Sequence, residues 1–123
     1  MPEPKRYGGR LDGKVAIVTG AGAEGEEIGI GRAIATVLAG EGGRVCCVDL
    51  ELARAQATAE RIVRAGGEAF AIAGDVSVAD DCERIVERTV ERFGRLDVLV
   101  NNVGVSPPVR LETFDDADRK SVV

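Results

Sequence analysis

Glycines are concentrated in one short stretch of the chain, between an apolar run and a helical pattern. They are Gly20, Gly22, Gly25, Gly29 and Gly31. Glycine lets a backbone turn tightly and approach a phosphate closely, and the amides at a helix start can then bind the anion. The position of this stretch, after a predicted strand and before a predicted helix, indicates a pyrophosphate-binding turn of a dinucleotide site.

Two registers of the glycine motif fit this stretch. Gly20, Gly22 and Gly25 match the pattern G-x-G-x-x-G literally, with a helix that begins near Gly25. That register places Gly29 and Gly31 inside the helix, at a cost of ~1 kcal/mol each relative to alanine, and sets glutamates beside the phosphates. We favour the second register, in which the motif is Gly20, Gly29 and Gly31, the helix begins at the last two, and the residues between form a surface loop.

A carboxylate follows the second apolar run, where a dinucleotide site needs one. Asp49 lies 18 residues after Gly31 (49 − 31), and a carboxylate there accepts hydrogen bonds from the adenosine ribose hydroxyls. A 2′-phosphate beside it would cost on the order of a few kcal/mol at an effective dielectric of about 20. Leu50 follows, rather than an arginine, so this pair favours NAD over NADP. The alternative is that Asp49 caps the next helix, and it could do both.

The composition narrows the classes of function. The 123 residues carry a formal net charge of −5 and few aromatic side chains, so we exclude a nucleic-acid partner. Histidine is absent, which excludes His-based metal sites and Ser-His or Cys-His catalysis, and we predict no metal site. No apolar run approaches the ~20 residues of a membrane span, and residues 1–10 lack the apolar stretch of a secretory signal. We therefore expect a cytoplasmic protein without a membrane partner.

The chain contains three cysteines, Cys46, Cys47 and Cys82. An odd number with an adjacent pair argues against a disulfide framework. We interpret them as reduced, small hydrophobic residues of the core.

Short apolar runs alternate with longer amphipathic patterns. The predicted strands are residues 15–19, 45–48, 69–73 and 98–100, and the predicted helices are residues 31–40, 51–65, 78–93 and 114–123. Ser77 with Asp80 resembles a capping box at the third helix, and Pro107-Pro108 indicates a loop before the last one.

This order of elements predicts an α/β fold, a doubly wound and Rossmann-like parallel sheet with the strand order 3-2-1-4 and helices on both faces. We expect residues 1–10 to form a flexible tail and residues 11–123 to form a truncated dinucleotide-binding domain. A homo-oligomer is compatible with this arrangement.

Four motifs in the same order resemble the short-chain dehydrogenase/reductase family. They are Leu11-Asp-Gly-Lys-Val-Ala-Ile-Val-Thr-Gly20, Asp49, Asp75-Val76 and Asn101-Asn-Val-Gly104. The resemblance covers nearly the whole chain after residue 10. It implies hydride transfer between a nicotinamide cofactor, NAD here rather than NADP, and an alcohol or carbonyl substrate.

The resemblance also implies roles for single positions. The pyrophosphate side would be lined by the glycine motif with Ile30, the adenosine ribose by Asp49, the adenine by Asp75 and Val76, and the cofactor riboses by the asparagine motif, with Asn101 bracing the sheet. The candidate cofactor-binding residues are Gly20, Gly29, Ile30, Gly31, Asp49, Leu50, Asp75, Val76, Asn102, Val103 and Gly104.

The sequence departs from the family pattern in three ways. Eight residues separate Gly20 from Gly29, several more than the family usually has, and Val103 replaces the usual alanine. The family's catalytic serine, Tyr-x-x-x-Lys pair and asparagine have no match: Tyr7 is the one tyrosine, and Leu11 lies four positions after it. We therefore assign no catalytic residue and expect the chain to end before those groups.

Three functions stay open at this point. The first is the N-terminal part of an NAD-dependent oxidoreductase, inactive on its own. The second is a non-catalytic dinucleotide-binding module, and the third is a regulatory partner of a full-length relative.

Overall fold

The computed structural model describes residues 8–23 and 27–102. In this part of the chain strands and helices alternate, as predicted. The elements are β1 (Val15–Thr19), α1 (Ile30–Gly40), β2 (Arg44–Asp49), α2 (Leu52–Arg64), β3 (Glu68–Ala73), α3 (Ala79–Phe93) and β4 (Val98–Val100). The predicted helix over residues 114–123 and the loop at Pro107-Pro108 lie outside the described residues.

The four strands form one parallel sheet in the order β3-β2-β1-β4, which confirms the predicted topology. In register, Ile17 of β1 lies opposite Cys46 of β2 on one side and Leu99 of β4 on the other. Every residue of β1 is buried. A strand that is covered on both faces is apolar throughout, so the continuous apolar run in the sequence predicted β1.

Helices cover both faces of the sheet and divide the core into two layers. On one face, side chains of β1 and β2 such as Val18 and Cys47 pack against Ala35 of α1 and Ile62 of α2. On the other face the partners come from α3, and the cluster consists of Ile17, Cys46, Val48, Ile72 and Ile85. The alternation of neighbouring residues between the two layers fixes the register of each strand.

Glycines end two of the helices, whereas one predicted helix cap is wrong. Gly94 closes α3 in the left-handed conformation at φ 83°, and Gly66 follows α2 at φ 92°. The N-cap of α3 is Val78, which provides no side-chain hydrogen bond. The hydroxyl of Ser77 instead donates to Oδ1 of Asp75 at 2.6 Å, because serine can satisfy a local carboxylate as readily as a helix end.

The end of the predicted tail contacts the domain. The backbone N–H of Arg10 donates to the carboxylate of Glu41 at 3.0 Å. Residues 1–7 of the tail lie outside the described residues.

Candidate dinucleotide-binding site

The carboxyl ends of the four parallel strands lie along one edge of the sheet. β1 leads there to Gly20, and β2 ends there at Asp49. β3 leads to Asp75 and β4 to Asn102. From β1 the chain leads to β2 and β3 on one side and then returns as β4 on the other side of β1, and open α/β sheets bind ligands in the crevice at such a switch point. The fold therefore brings the predicted site segments together.

Gly31 lies in very close contact with Gly20 at this edge. A Cβ atom at residue 31 would lie 2.6 Å from the carbonyl carbon of Gly20 and 2.8 Å from Nδ2 of Asn102. The same Asn102 amide group is 3.4 Å from the Gly20 carbonyl oxygen, to which it donates. β1, α1 and β4 thus converge on one point where only glycine fits at residue 31.

The start of α1 confirms the second register of the glycine motif. The helix begins at Ile30, with Gly29 as its N-cap, and the Ala33 amide donates to the Gly29 carbonyl at 3.0 Å. The first turn contains no acidic residue. Its leading N–H groups have no acceptor within the helix, so this end attracts an anion. The literal register, with a helix from Gly25, is wrong because Glu27 to Gly29 are not helical.

The lengthened loop between these glycines turns partly inward. Ala21 and Ala23 are buried, so the interpretation of a wholly surface loop is wrong for its first residues, while Glu27 is exposed as expected. The Gly22 amide donates to Oδ2 of Asp49 at 3.1 Å. Sequence reasoning missed Gly22 as a site residue, although the literal G-x-G pattern was the signal that could have found it.

Asp49 connects the glycine loop to the start of α2. While Oδ2 accepts the Gly22 bond, Oδ1 accepts a hydrogen bond from the Glu51 amide at 3.1 Å. The N-cap of α2 is Glu51, so the alternative of Asp49 as the N-cap is wrong, although its carboxylate does hold the residue at that position. Leu50 is 63% exposed. Each carboxylate oxygen has a second lone pair for a ligand hydroxyl.

The turn that contains Asp75 and Val76 follows β3, whose last residue, Ala73, lies opposite Asp49 in the sheet. The Gly74 amide donates to the Asp49 carbonyl at 3.0 Å, which ties the ends of β2 and β3 together. The hydroxyl and amide of Ser77 both donate to Asp75, and these bonds hold the pKa of the Asp75 carboxyl below its ordinary value. The carboxylate is therefore a charged acceptor at neutral pH.

Thr19 joins β1 to the asparagine motif. Its hydroxyl lies 3.2 Å from the Val100 carbonyl and 3.4 Å from Oδ1 of Asn101, and it accepts a hydrogen bond from the Asn102 amide at 2.9 Å. This buried threonine therefore braces the end of β4 together with Asn101. Two further predicted site residues, Val103 and Gly104, lie outside the described residues.

A family model described as short chain dehydrogenase matches residues 14–123. The chain belongs to the short-chain dehydrogenase family. Members of this family are oxidoreductases that use nicotinamide dinucleotides. The glycine contact at residue 31, the anion-attracting start of α1 and the carboxylate of Asp49 fit such a cofactor.

The chain matches less than half the length of its curated relatives. It is 44% identical over 108 residues to an uncharacterized oxidoreductase of Thermotoga maritima, which covers 88% of this chain and 40% of that protein. It is 37% identical over 99 residues to the 7α-hydroxysteroid dehydrogenase of Escherichia coli, covering 80% of this chain and 37% of the enzyme. The chain thus spans well under half of these relatives.

Solved structures agree with the family assignment. A short chain dehydrogenase from Mycobacterium smegmatis superposes with a TM-score of 0.81 at 32% identity, over 98% of this chain and 49% of that one. A hydroxysteroid dehydrogenase from Escherichia coli gives a TM-score of 0.77 at 35% identity, over 91% and 45%. The chain therefore superposes on a little under half of each of these two structures.

Within residues 8–23 and 27–102, no helix is long and apolar enough to cross a membrane.

Proposed function

We propose that this chain binds NAD as the nucleotide-binding part of a short-chain dehydrogenase that transfers hydride between nicotinamide and an alcohol or carbonyl substrate. The observation that carries the proposal is the Asp49 carboxylate at the end of β2, which accepts the Gly22 amide at 3.1 Å. The carboxylate and the glycine loop are thereby fixed side by side, as binding of a ribose and its neighbouring pyrophosphate requires.

Each site segment has a role in this proposal. The pyrophosphate would rest at the start of α1 on the segment formed by Gly20, Gly29, Ile30 and Gly31. Asp49 and Leu50 would hold the adenosine ribose, and Asp75 and Val76 the adenine. The remaining candidates, Asn102, Val103 and Gly104, would follow the cofactor towards the nicotinamide.

The preference for NAD follows from charge at the end of β2. A 2′-phosphate would place a second anion beside the Asp49 carboxylate, and the repulsion amounts to on the order of a few kcal/mol at an effective dielectric of about 20. The next residue, Leu50, has no charge to offset it. Arg54, in the first turn of α2, has its Nε 3.1 Å from a Glu51 carboxylate oxygen, and this ion pair competes with a phosphate for the guanidinium.

Isothermal titration of the chain with NAD and with NADP tests the proposal. We expect NAD to bind at least roughly tenfold more tightly than NADP, and Asp49→Asn to narrow that ratio. Asp97→Asn is the matched control, because Asp97 lies before β4 at the opposite edge of the sheet. Equal or tighter binding of NADP by the unaltered chain would contradict the preference, and binding of neither would contradict the function.

Turnover is a separate part of the proposal. Bound nicotinamide supplies or accepts the hydride, and the residues of this chain bind and orient it. The proton-transferring Tyr-x-x-x-Lys pair of the family has no match in the sequence, so we expect the 123-residue chain to bind cofactor without turning over alcohols or carbonyls. A cofactor-dependent absorbance change that heating abolishes would overturn this expectation.

We extend the proposal to a cytoplasmic location. The three cysteines Cys46, Cys47 and Cys82 are free thiols, which is typical of proteins in a reducing compartment. Localisation of a tagged chain by fractionation tests it.

A further inference from the structure

The first turn of α1 contains a fully buried arginine. Arg32 has a relative exposure of 0%, and burial of a guanidinium is costly unless its donors are satisfied. Two of its N–H groups point into the lengthened glycine loop: Nη2 donates to the Ala23 carbonyl at 3.1 Å, and Nη1 donates to the Glu27 carbonyl at 2.9 Å. One side chain thus binds the described backbone of the loop at two places, Ala23 and Glu27.

A buried threonine on α2 extends this contact. The Nε–H of Arg32 donates to Oγ1 of Thr58 at 3.0 Å, and the Thr58 hydroxyl donates to the Ala21 carbonyl at 2.8 Å. Thr58 is also fully buried. A hydroxyl has a single proton. Thr58 donates that proton to the Ala21 carbonyl, so its oxygen can only accept in the hydrogen bond with Arg32. The arginine, the threonine and the loop therefore form one chain of hydrogen bonds.

This chain of hydrogen bonds ends at the carboxylate of the candidate site. The Ala21 amide donates to the Val48 carbonyl at 2.9 Å, and the next amide, of Gly22, donates to Oδ2 of Asp49 at 3.1 Å. The Ala21 carbonyl is thus bound by the Thr58 side chain, and the Ala21 amide is bound by the backbone of β2. Two side chains that do not line the site, Thr58 and through it Arg32, therefore help to fix the direction of the Gly22 N–H.

We propose that Arg32 and Thr58 are positioning residues that hold the described parts of the lengthened glycine loop, residues 21–23 and 27, in the conformation that presents Gly22 to Asp49 and binds the adenosine ribose side of a dinucleotide. The inference rests on the proposed function for its ligand and on the described hydrogen bonds for the loop.

The test uses the loop's own glutamates and a set of threonine variants. Thr58→Val removes one hydroxyl with little change of shape, Thr58→Ser keeps it, and Thr89→Val removes an equally buried hydroxyl from α3, on the other face of the sheet. A glutamate-specific protease cleaves after Glu24, Glu26 or Glu27 and reports on the loop. Titration with AMP and NAD reports on the site, and urea unfolding reports on the whole domain.

We expect Thr58→Val to raise the rate of loop cleavage. The variant should also bind AMP and NAD more weakly, both by roughly tenfold, as expected when buried hydrogen bonds are lost. Thr58→Ser should restore both values. Thr89→Val should leave both unchanged even if it lowers the urea midpoint. Arg32→Lys, which keeps the charge and loses the planar fork of donors, should act in the same direction as Thr58→Val.

Loop cleavage and affinities that are equal in Thr58→Val, Arg32→Lys and the unaltered chain would overturn the inference. So would equal losses in Thr58→Val and Thr89→Val, because these would show a general effect of stability. If the unaltered chain binds neither AMP nor NAD, the proposed function fails, and the cleavage rates alone then decide whether Arg32 and Thr58 hold the loop.

Discussion

The amide of Gly22 donates to Oδ2 of Asp49 at 3.1 Å, although the two residues are 27 positions apart in the chain. A Cβ atom at residue 22 would lie 2.8 Å from the same carboxylate oxygen and 2.9 Å from the carbonyl carbon of Arg54. The loop can therefore reach the end of β2 only because residue 22 has no side chain. This contact links the two halves of the candidate site.

Two glycines of the motif should respond differently to substitution by alanine. Gly31→Ala forces a methyl group against the Gly20 backbone, and we expect it to destabilise the domain by about 1–3 kcal/mol, as overpacking does. In Gly29→Ala the new methyl lies 3.6 Å from the Gly22 carbonyl oxygen, which is ordinary contact, so the free energy of unfolding should change little. Urea unfolding of both variants provides the measurement, and similar losses in both would contradict the packing argument.

Asp97 should make stability depend on pH in the acid range. Arg95 and the Val15 amide donate to its carboxylate, and these bonds lower the pKa of Asp97. A group whose pKa is lower in the folded state stabilises the fold above its unfolded pKa, near 4, and this contribution disappears as the pH falls through the folded value. The unaltered chain should therefore exceed Asp97→Asn in urea midpoint at pH 7, and the difference should shrink below about pH 4.

The control for this pH series is Glu87→Gln, a substitution at an exposed position of α3. A difference between the unaltered chain and Asp97→Asn that stays constant from pH 7 to about pH 3 would show that charge at residue 97 is not the cause.

The adjacent thiols of β2 should be inert in the folded chain. Desolvation raises the pKa of Cys46 to about 11 and that of Cys47 to about 12, and the thiolate is the reactive form. Cys82 is only partly buried, with its Sγ 3.2 Å from the Val76 carbonyl oxygen. Pulsed alkylation at pH 8 with mass spectrometry should label Cys82 first. Labelling of Cys46 or Cys47 at the same rate as Cys82 would contradict the burial of β2.

The edge of the sheet at β4 should promote self-association. Among the described residues β4 pairs only with β1, and Leu99 is 64% exposed. An exposed apolar edge strand is a template for another chain, and a lysine there opposes pairing. We expect Leu99→Lys to lower the self-association seen by sedimentation velocity, whereas Val63→Lys, at an exposed position of α2, should not.

A concentration-independent monomer in the unaltered chain, with a cooperative melt and no binding of a dye for apolar surface, would contradict the prediction for β4. It would also favour a self-sufficient binding module over a fragment that needs a neighbouring strand.

The strands and the glycine register were predictable because their causes are local. A strand buried on both faces must be apolar throughout, as β1 is, and Gly29 and Gly31 are poor interior residues of a helix, which placed the start of α1 near them. The position of Asp49 followed from its spacing to the same glycines. These features need no knowledge of distant contacts.

The inward turn of the loop was not predictable in the same way, because its partners are remote in sequence. Ala21 is held by Thr58 of α2, and Gly22 by Asp49 of β2. An arginine after a glycine motif is expected to be exposed, yet Arg32 is buried since the loop carbonyls accept its donors. The predicted capping box at Ser77 was wrong for a local reason, because the Ser77 hydroxyl donates to Asp75 instead.

Titration of the isotopically labelled chain with NAD, followed by the amide signals in two-dimensional NMR, shows whether this crevice binds a dinucleotide. We predict saturable shifts at the carboxyl edge of the sheet, at Gly20, Gly22, Gly31, Asp49, Val76 and Asn102. Signals at the opposite edge, at Lys14, Arg44 and Asp97, should stay in place. No saturable change, or changes centred on the opposite edge, would contradict the assignment of this crevice as a dinucleotide site.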